Sequence, residues 1–189
     1  PESSPNIDEM SRTETLNQTY ALGGRLTDGT ILKAWGAAVT VGWIGSQLVA
    51  LAGVGSQLAL TAVWLVGSLV PITASFLWMR SRTMTGLFPA WTVLGVTGLV
   101  ASFAVIVQAI SINETLILGG LWFAGPAVGF LITAAYMNDW SRQLYAGAAV
   151  ANLIAAVLVV TVSSFEAFYF IVAAVIQGLP MVYHGTRLG

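Results

Sequence analysis

The chain has 189 residues, of which 57% are hydrophobic and only 8% charged, with a net charge of −1 and no cysteine. Soluble domains carry roughly 25% charged residues, so this composition excludes an ordinary water-soluble fold. The absence of cysteine excludes disulfides and thiol chemistry, and the near-neutral charge excludes a basic field for nucleic acid.

Residues 1–30 form a polar tail in which Glu2, Asp8, Glu9, Glu14 and Asp28 face only Arg12 and Arg25. From Pro1 onward it reads as an acidic segment, unlike a cleavable signal peptide. Ser11-Arg-Thr-Glu14 has capping-box spacing and predicts a short helix over about 12–22, closed by Gly23-Gly24. The plainer reading is a partly ordered cytoplasmic tail. Six apolar stretches follow, at about 31–53, 57–78, 87–110, 116–137, 144–163 and 165–184. Hydrocarbon offers backbone groups no partners, and runs of about 20 apolar residues satisfy them as helices. Arg12, Arg25 and Lys33 precede the first stretch, Arg80 and Arg82 follow the second, Arg142 the fourth and Arg187 the sixth. The other three gaps hold no Lys or Arg, only Glu114 and Glu166. Basic loops stay in the cytoplasm, so the pattern predicts an all-α, six-span protein of the cell membrane with both termini cytoplasmic. The outer turns, 53–57, 111–115 and 163–164, are short enough to force three antiparallel hairpins.

An internal repeat underlies these hairpins. Gly36-Ala-Ala-Val39 opens the first helix after Trp35, and Gly147-Ala-Ala-Val150 opens the fifth after Tyr145, 111 residues later. Half that interval falls on Pro89-Ala-Trp91, at the start of the third helix. Ile72-Thr-Ala-Ser-Phe-Leu-Trp-Met79 resembles Ile132-Thr-Ala-Ala-Tyr-Met137, and Pro71, Pro126 and Pro180 place one proline in each even helix. The pattern is three copies of a two-helix unit, parallel in the membrane, with a period near 55 residues.

The residue inventory excludes several chemistries. Lys33 sits at a helix boundary, too shallow for a retinal Schiff base; one histidine cannot make bis-histidine haem ligation; the fourth helix has no serine for an intramembrane protease. The helix interiors lack Asp, Glu, Lys and Arg, which proton relays and voltage sensors use. No catalytic residue, metal site or cofactor is expected. His184 is expected to snorkel at the interface beside Tyr183 and Arg187. Asn152 lies about 12 Å from the inner end of the fifth helix and Gln177 about 10 Å from that of the sixth. That levels them across one hairpin and predicts a direct amide–amide bond, as helix glue or as a solute contact. Gln47 and Gln108 lie nearer the outer surface. Trp35, Trp78, Trp91, Trp140, Tyr145 and Tyr183 are expected to form an inner aromatic belt. Trp43, Trp64 and Trp122 lie deeper, filling the core or lining a pocket. Gly125 and Gly129 supply GxxxG spacing on the fourth helix, opposite Gly98 and Ser102 on the third, for close backbone packing. Asn113-Glu-Thr115 is a glycosylation sequon on a turn that hugs the membrane.

Through Gly36-Ala-Ala-Val39, Ala90-Trp91, Gly147-Ala-Ala-Val150 and the glycine-rich even helices, residues 31–184 resemble the HdeD-type acid-resistance membrane proteins. That resemblance implies a stress-linked membrane protein and carries over no catalytic residues; the long acidic tail departs from it. Gly125-Pro126-Ala-Val-Gly129 and Asn138-Asp-Trp140 are also similar to the acid-gated urea and amide channels, although the motif falls on a different helix. The expected role is therefore a structural, stress-linked or complex-subunit membrane protein, surrounded by lipid and by copies of itself or other membrane subunits. The alternative is a passive path for a small neutral solute.

Overall fold

The computed structural model describes residues 28–53, 63–64, 66–67, 72–77, 87–107 and 120–188. The predicted tail helix, most of the second helix with Pro71 and Trp78, Gln108 and the sequon at Asn113 lie outside these. The described residues are helical and contain no strand. Helix α1 is Asp28–Leu51 and α2 is Leu87–Ile106. Helix α3 covers 120–136, opening with a π-turn at Gly120–Ala124 before Gly125–Tyr136. Helix α4 is Trp140–Thr161, followed by a 3-10 turn at Ser163–Ala167. Helix α5 covers 169–188 and is interrupted by a second π-turn at Ala174–Gly178. They correspond to the predicted first, third, fourth, fifth and sixth helices, and 72–77 is a helical piece of the second.

The ends of these helices have local causes. Gly53 adopts φ +68°, a left-handed conformation that costs glycine little, and its N–H reaches back to the Ala50 carbonyl to close α1. Helix α4 begins at Trp140, four residues before the predicted start, because Asp139 caps it by accepting from the Ser141 amide and hydroxyl. Those bonds, the hydroxyl first, hold the Asp139 carboxyl below its ordinary range.

Helices α1 and α5 run antiparallel with their backbones in contact. A Cβ on Gly36 would lie 2.8 Å from the Gly178 carbonyl, and one on Gly185 would lie 2.7 Å from the Gly29 carbonyl. The start of α1 and the end of α5 therefore share one end of the bundle, called here the terminal end. The close approach expected at Gly98, Ser102, Gly125 and Gly129 takes a different form. Gly129 is covered by the Trp91 ring and Gly98 by the Trp122 ring, while none of the described residues lies within 4 Å of a Cβ on Gly125. Large rings fill the glycine notches between α2 and α3, so those backbones stay apart.

Polar side chains are buried beside the apolar core, and large apolar side chains cover the surface. Ser46, Gln47, Ser75, Thr133, Ser141, Asn152, Gln177 and His184 are buried, whereas Val41, Leu48, Val93, Phe103, Val157 and Leu179 are exposed. Asp28–Leu51 and Trp140–Thr161 are long and apolar enough to cross a membrane.

Candidate functional site

Gln177 is the hub of the bundle. Its Oε1 accepts from Trp43 Nε1 (2.9 Å), and its Nε2 donates to Asn152 Oδ1 (2.9 Å) and to the Trp122 carbonyl (2.8 Å). The amide–amide bond levelled from the helix lengths is thus present, inside a wider network. Pro126 explains the third partner. It has no N–H, so the carbonyl four residues earlier, that of Trp122, loses its usual helical donor. Gln177 replaces that donor from a different helix. Both amide hydrogens of Gln177 are used, and Asn152 Nδ2 donates to the Ala148 carbonyl of its own helix (2.9 Å).

The three deep tryptophans pack on one another around this hub. Trp43 meets Trp64 and Trp122 edge to face, with centroids 4.6 and 5.9 Å apart, and Trp64 stacks on Trp122 at 5.9 Å. Trp43 also stacks on Phe170, and Trp122 Nε1 donates to Ser102 Oγ (3.0 Å). They fill the core together with Phe123, Ala155, Val159 and Ala173. One turn beyond Trp43, Gln47 is buried, and its Oε1 has no hydrogen-bond partner among the described residues.

A second cluster occupies the terminal end. Tyr145 Oη and His184 Nδ1 lie 2.8 Å apart, both side chains buried. Phe130 stacks on Tyr145, Trp91 meets Phe130 edge to face, and Trp140 lies against the His184 ring. Two expectations are corrected here. His184 does not snorkel at an interface: it is two helical turns from Gln177 and shares its inward face, while Tyr183 and Arg187 point outward. Tyr145 belongs to the core, not to an aromatic belt, and Trp91 is half-buried with its indole engaged by Thr133.

The polar pairs recur at similar spacing. Trp35 donates to Ser75 (2.7 Å) and Trp91 to Thr133 (3.0 Å), and Tyr145 meets His184, at sequence separations of 40, 42 and 39. Seven residues further along α1, α2 and α4 comes a second position: Gly42 beneath Trp64, Gly98 beneath Trp122, and Asn152 bonded to Gln177. These pairs register Trp35 with Tyr145, one residue away from the Gly36–Gly147 match read in the sequence. Trp35, Ser75, Thr133 and Tyr145 were missed as core polar groups. Their signal was an aromatic residue with a polar partner about 40 residues later in each predicted hairpin.

No group of three or more His, Cys, Asp or Glu that could hold a metal occurs among the described residues. No family model matches this chain, and neither a curated protein nor a solved structure matches it.

Proposed function

We propose that the chain is a polytopic helical protein of the cell membrane, built from three two-helix units, with both termini on the cytoplasmic side and no catalytic function. Its role is structural: a scaffold or a subunit of a larger membrane assembly. The stress-linked part of this reading rests on the residues that resemble the HdeD-type proteins. The apolar surface of the bundle supports the membrane setting, and the recurring aromatic–polar pairs support the threefold build. The observation that carries the structural role is the closure of the Gln177 network, in which both amide hydrogens and the carbonyl oxygen are engaged by the protein itself. A solute passing this level would have to break those bonds, and unpaired buried polar groups cost roughly 1–3 kcal/mol each.

The mass of the gently solubilised assembly, with identification of co-purifying chains, tests this role. A stoichiometric membrane partner supports it; a self-contained assembly that accelerates solute flux in vesicles contradicts it. A second reading, a passive path for a small neutral solute, is favoured by one observation: the buried, unpartnered Oε1 of Gln47 beside the tryptophan cluster. Under that reading, Gln47→Leu abolishes a flux that wild-type vesicles display.

A further inference from the structure

Helix α5 carries a stripe along one outward face. Val175 and Leu179 are each 49% exposed, Tyr183 is 46% exposed, and Arg187 is exposed at the terminal end, each four residues from the last. Leu179, Tyr183 and Arg187, four apart on the α-helical part, lie above one another, and Val175 in the π-turn before them is exposed as well, so the stripe runs from apolar through aromatic to cationic. At its cationic end Trp140, the first residue of α4 and 41% exposed, meets Tyr183 edge to face with centroids 5.5 Å apart. Arg187 donates from Nη2 to the Tyr183 hydroxyl (3.1 Å) and lies over the same ring, 5.4 Å from its centroid. The guanidinium is thus positioned by a neutral side chain, and among the described residues its other N–H donors take no partner. The acid beside Trp140, Asp139, is occupied by Ser141. Lys33 crosses Gly185 on the neighbouring helix, where a Cβ would lie 2.9 Å from its Cγ, and adds a second cation at this end.

We propose that this stripe binds one anionic phospholipid: Arg187 takes the phosphate, Trp140 and Tyr183 flank the glycerol region, and Leu179 and Val175 carry an acyl chain. The proposal rests on the membrane reading above. The run of apolar residues leading away from Arg187 is what selects a lipid over free phosphate. Amphipathic rings at the polar–apolar boundary fit the same occupant.

The test uses the full chain inserted into nanodiscs of phosphatidylcholine and phosphatidylglycerol, with retained lipid read by native mass spectrometry. Wild type should retain phosphatidylglycerol preferentially. Arg187→Gln should lower that retention about fivefold, the effect of one arginine at an anionic surface. Tyr183→Phe, which keeps the ring, should lower it less, and Arg142→Gln, off the stripe, should lower it least. Unchanged retention in Arg187→Gln would overturn the proposal, as would displacement of the lipid by excess inorganic phosphate. A wild-type chain that fails to enter the nanodisc overturns the membrane reading itself, at a step before lipid is scored.

Discussion

Between α2 and α3, Trp91 and Trp122 each donate one indole N–H to a hydroxyl, that of Thr133 and of Ser102. Between α4 and α5, the positions at the same seven-residue interval hold Tyr145 with His184 and Asn152 with Gln177. The first pair is joined by large rings set into glycine notches, with single, non-titrating bonds at their edges. The second is joined by groups with several donors and acceptors, and these reach beyond their own pair to Trp43 on α1 and the Trp122 carbonyl on α3. On the partner helices the register also differs. Trp64 and Trp122 lie eleven residues before Ser75 and Thr133, whereas Gln177 lies seven before His184. The two joints differ in reach: indole–hydroxyl clamps fasten α2 to α3 alone, and the amide hub ties α5 to α4, α1 and α3.

The largest effect should come from breaking the hub. Gln177→Leu leaves the Trp43 indole, the Asn152 carbonyl and the Trp122 carbonyl without partners, and should destabilise the bundle by about 3 kcal/mol or more. Unfolding titrations in mixed micelles measure this; a loss no greater than that of a single clamp would erase the contrast between the two pairs. Next comes Gly178→Ala, whose Cβ would press into Thr40 and lie 2.9 Å from the Gly36 carbonyl. It should cost about 1–3 kcal/mol by overpacking, while Gly125→Ala, facing open space, should be close to neutral. The same titrations sharpen the assignment of close backbone contact to α1–α5. Tyr145→Phe removes the hydroxyl from His184 and should cost about 1 kcal/mol. Trp122→Phe keeps a ring near Gly98 but loses the bond to Ser102, a bond contribution of about 0.6 kcal/mol in a membrane setting. The smallest effect concerns Asp139. Its carboxyl is held below its ordinary range by Ser141, so the α4 cap is complete at neutral pH and fails only as pH falls through that lowered value. Fluorescence of Trp140 against pH, compared in Asp139→Asn, checks this sign; loss of the cap near neutrality would contradict it.

Helix positions along the chain were legible because long apolar runs have one solution when backbone groups must satisfy themselves. The Asn152–Gln177 bond was legible too, because equal distances from a short turn place two residues level. The direction of His184 was not, since an interfacial position says nothing about which face a residue occupies. The π-turns at Gly120–Ala124 on α3 and Ala174–Gly178 on α5 leave no composition signal of their own. In the sequence Pro126 reads only as one of the repeat's three prolines; that it strips the Trp122 carbonyl of its α-helical donor, which Gln177 replaces, emerges from the structure. The contact of α1 with α5 joins residues far apart in the chain, so no local pattern marked Gly36 and Gly178 as the close approach.

Stopped-flow flux of a small neutral solute such as urea, in vesicles carrying the full chain, tests the closed hub most directly. The account predicts flux equal to that of protein-free vesicles. Accelerated flux that disappears in Gln47→Leu would contradict it and make the buried amides part of a path.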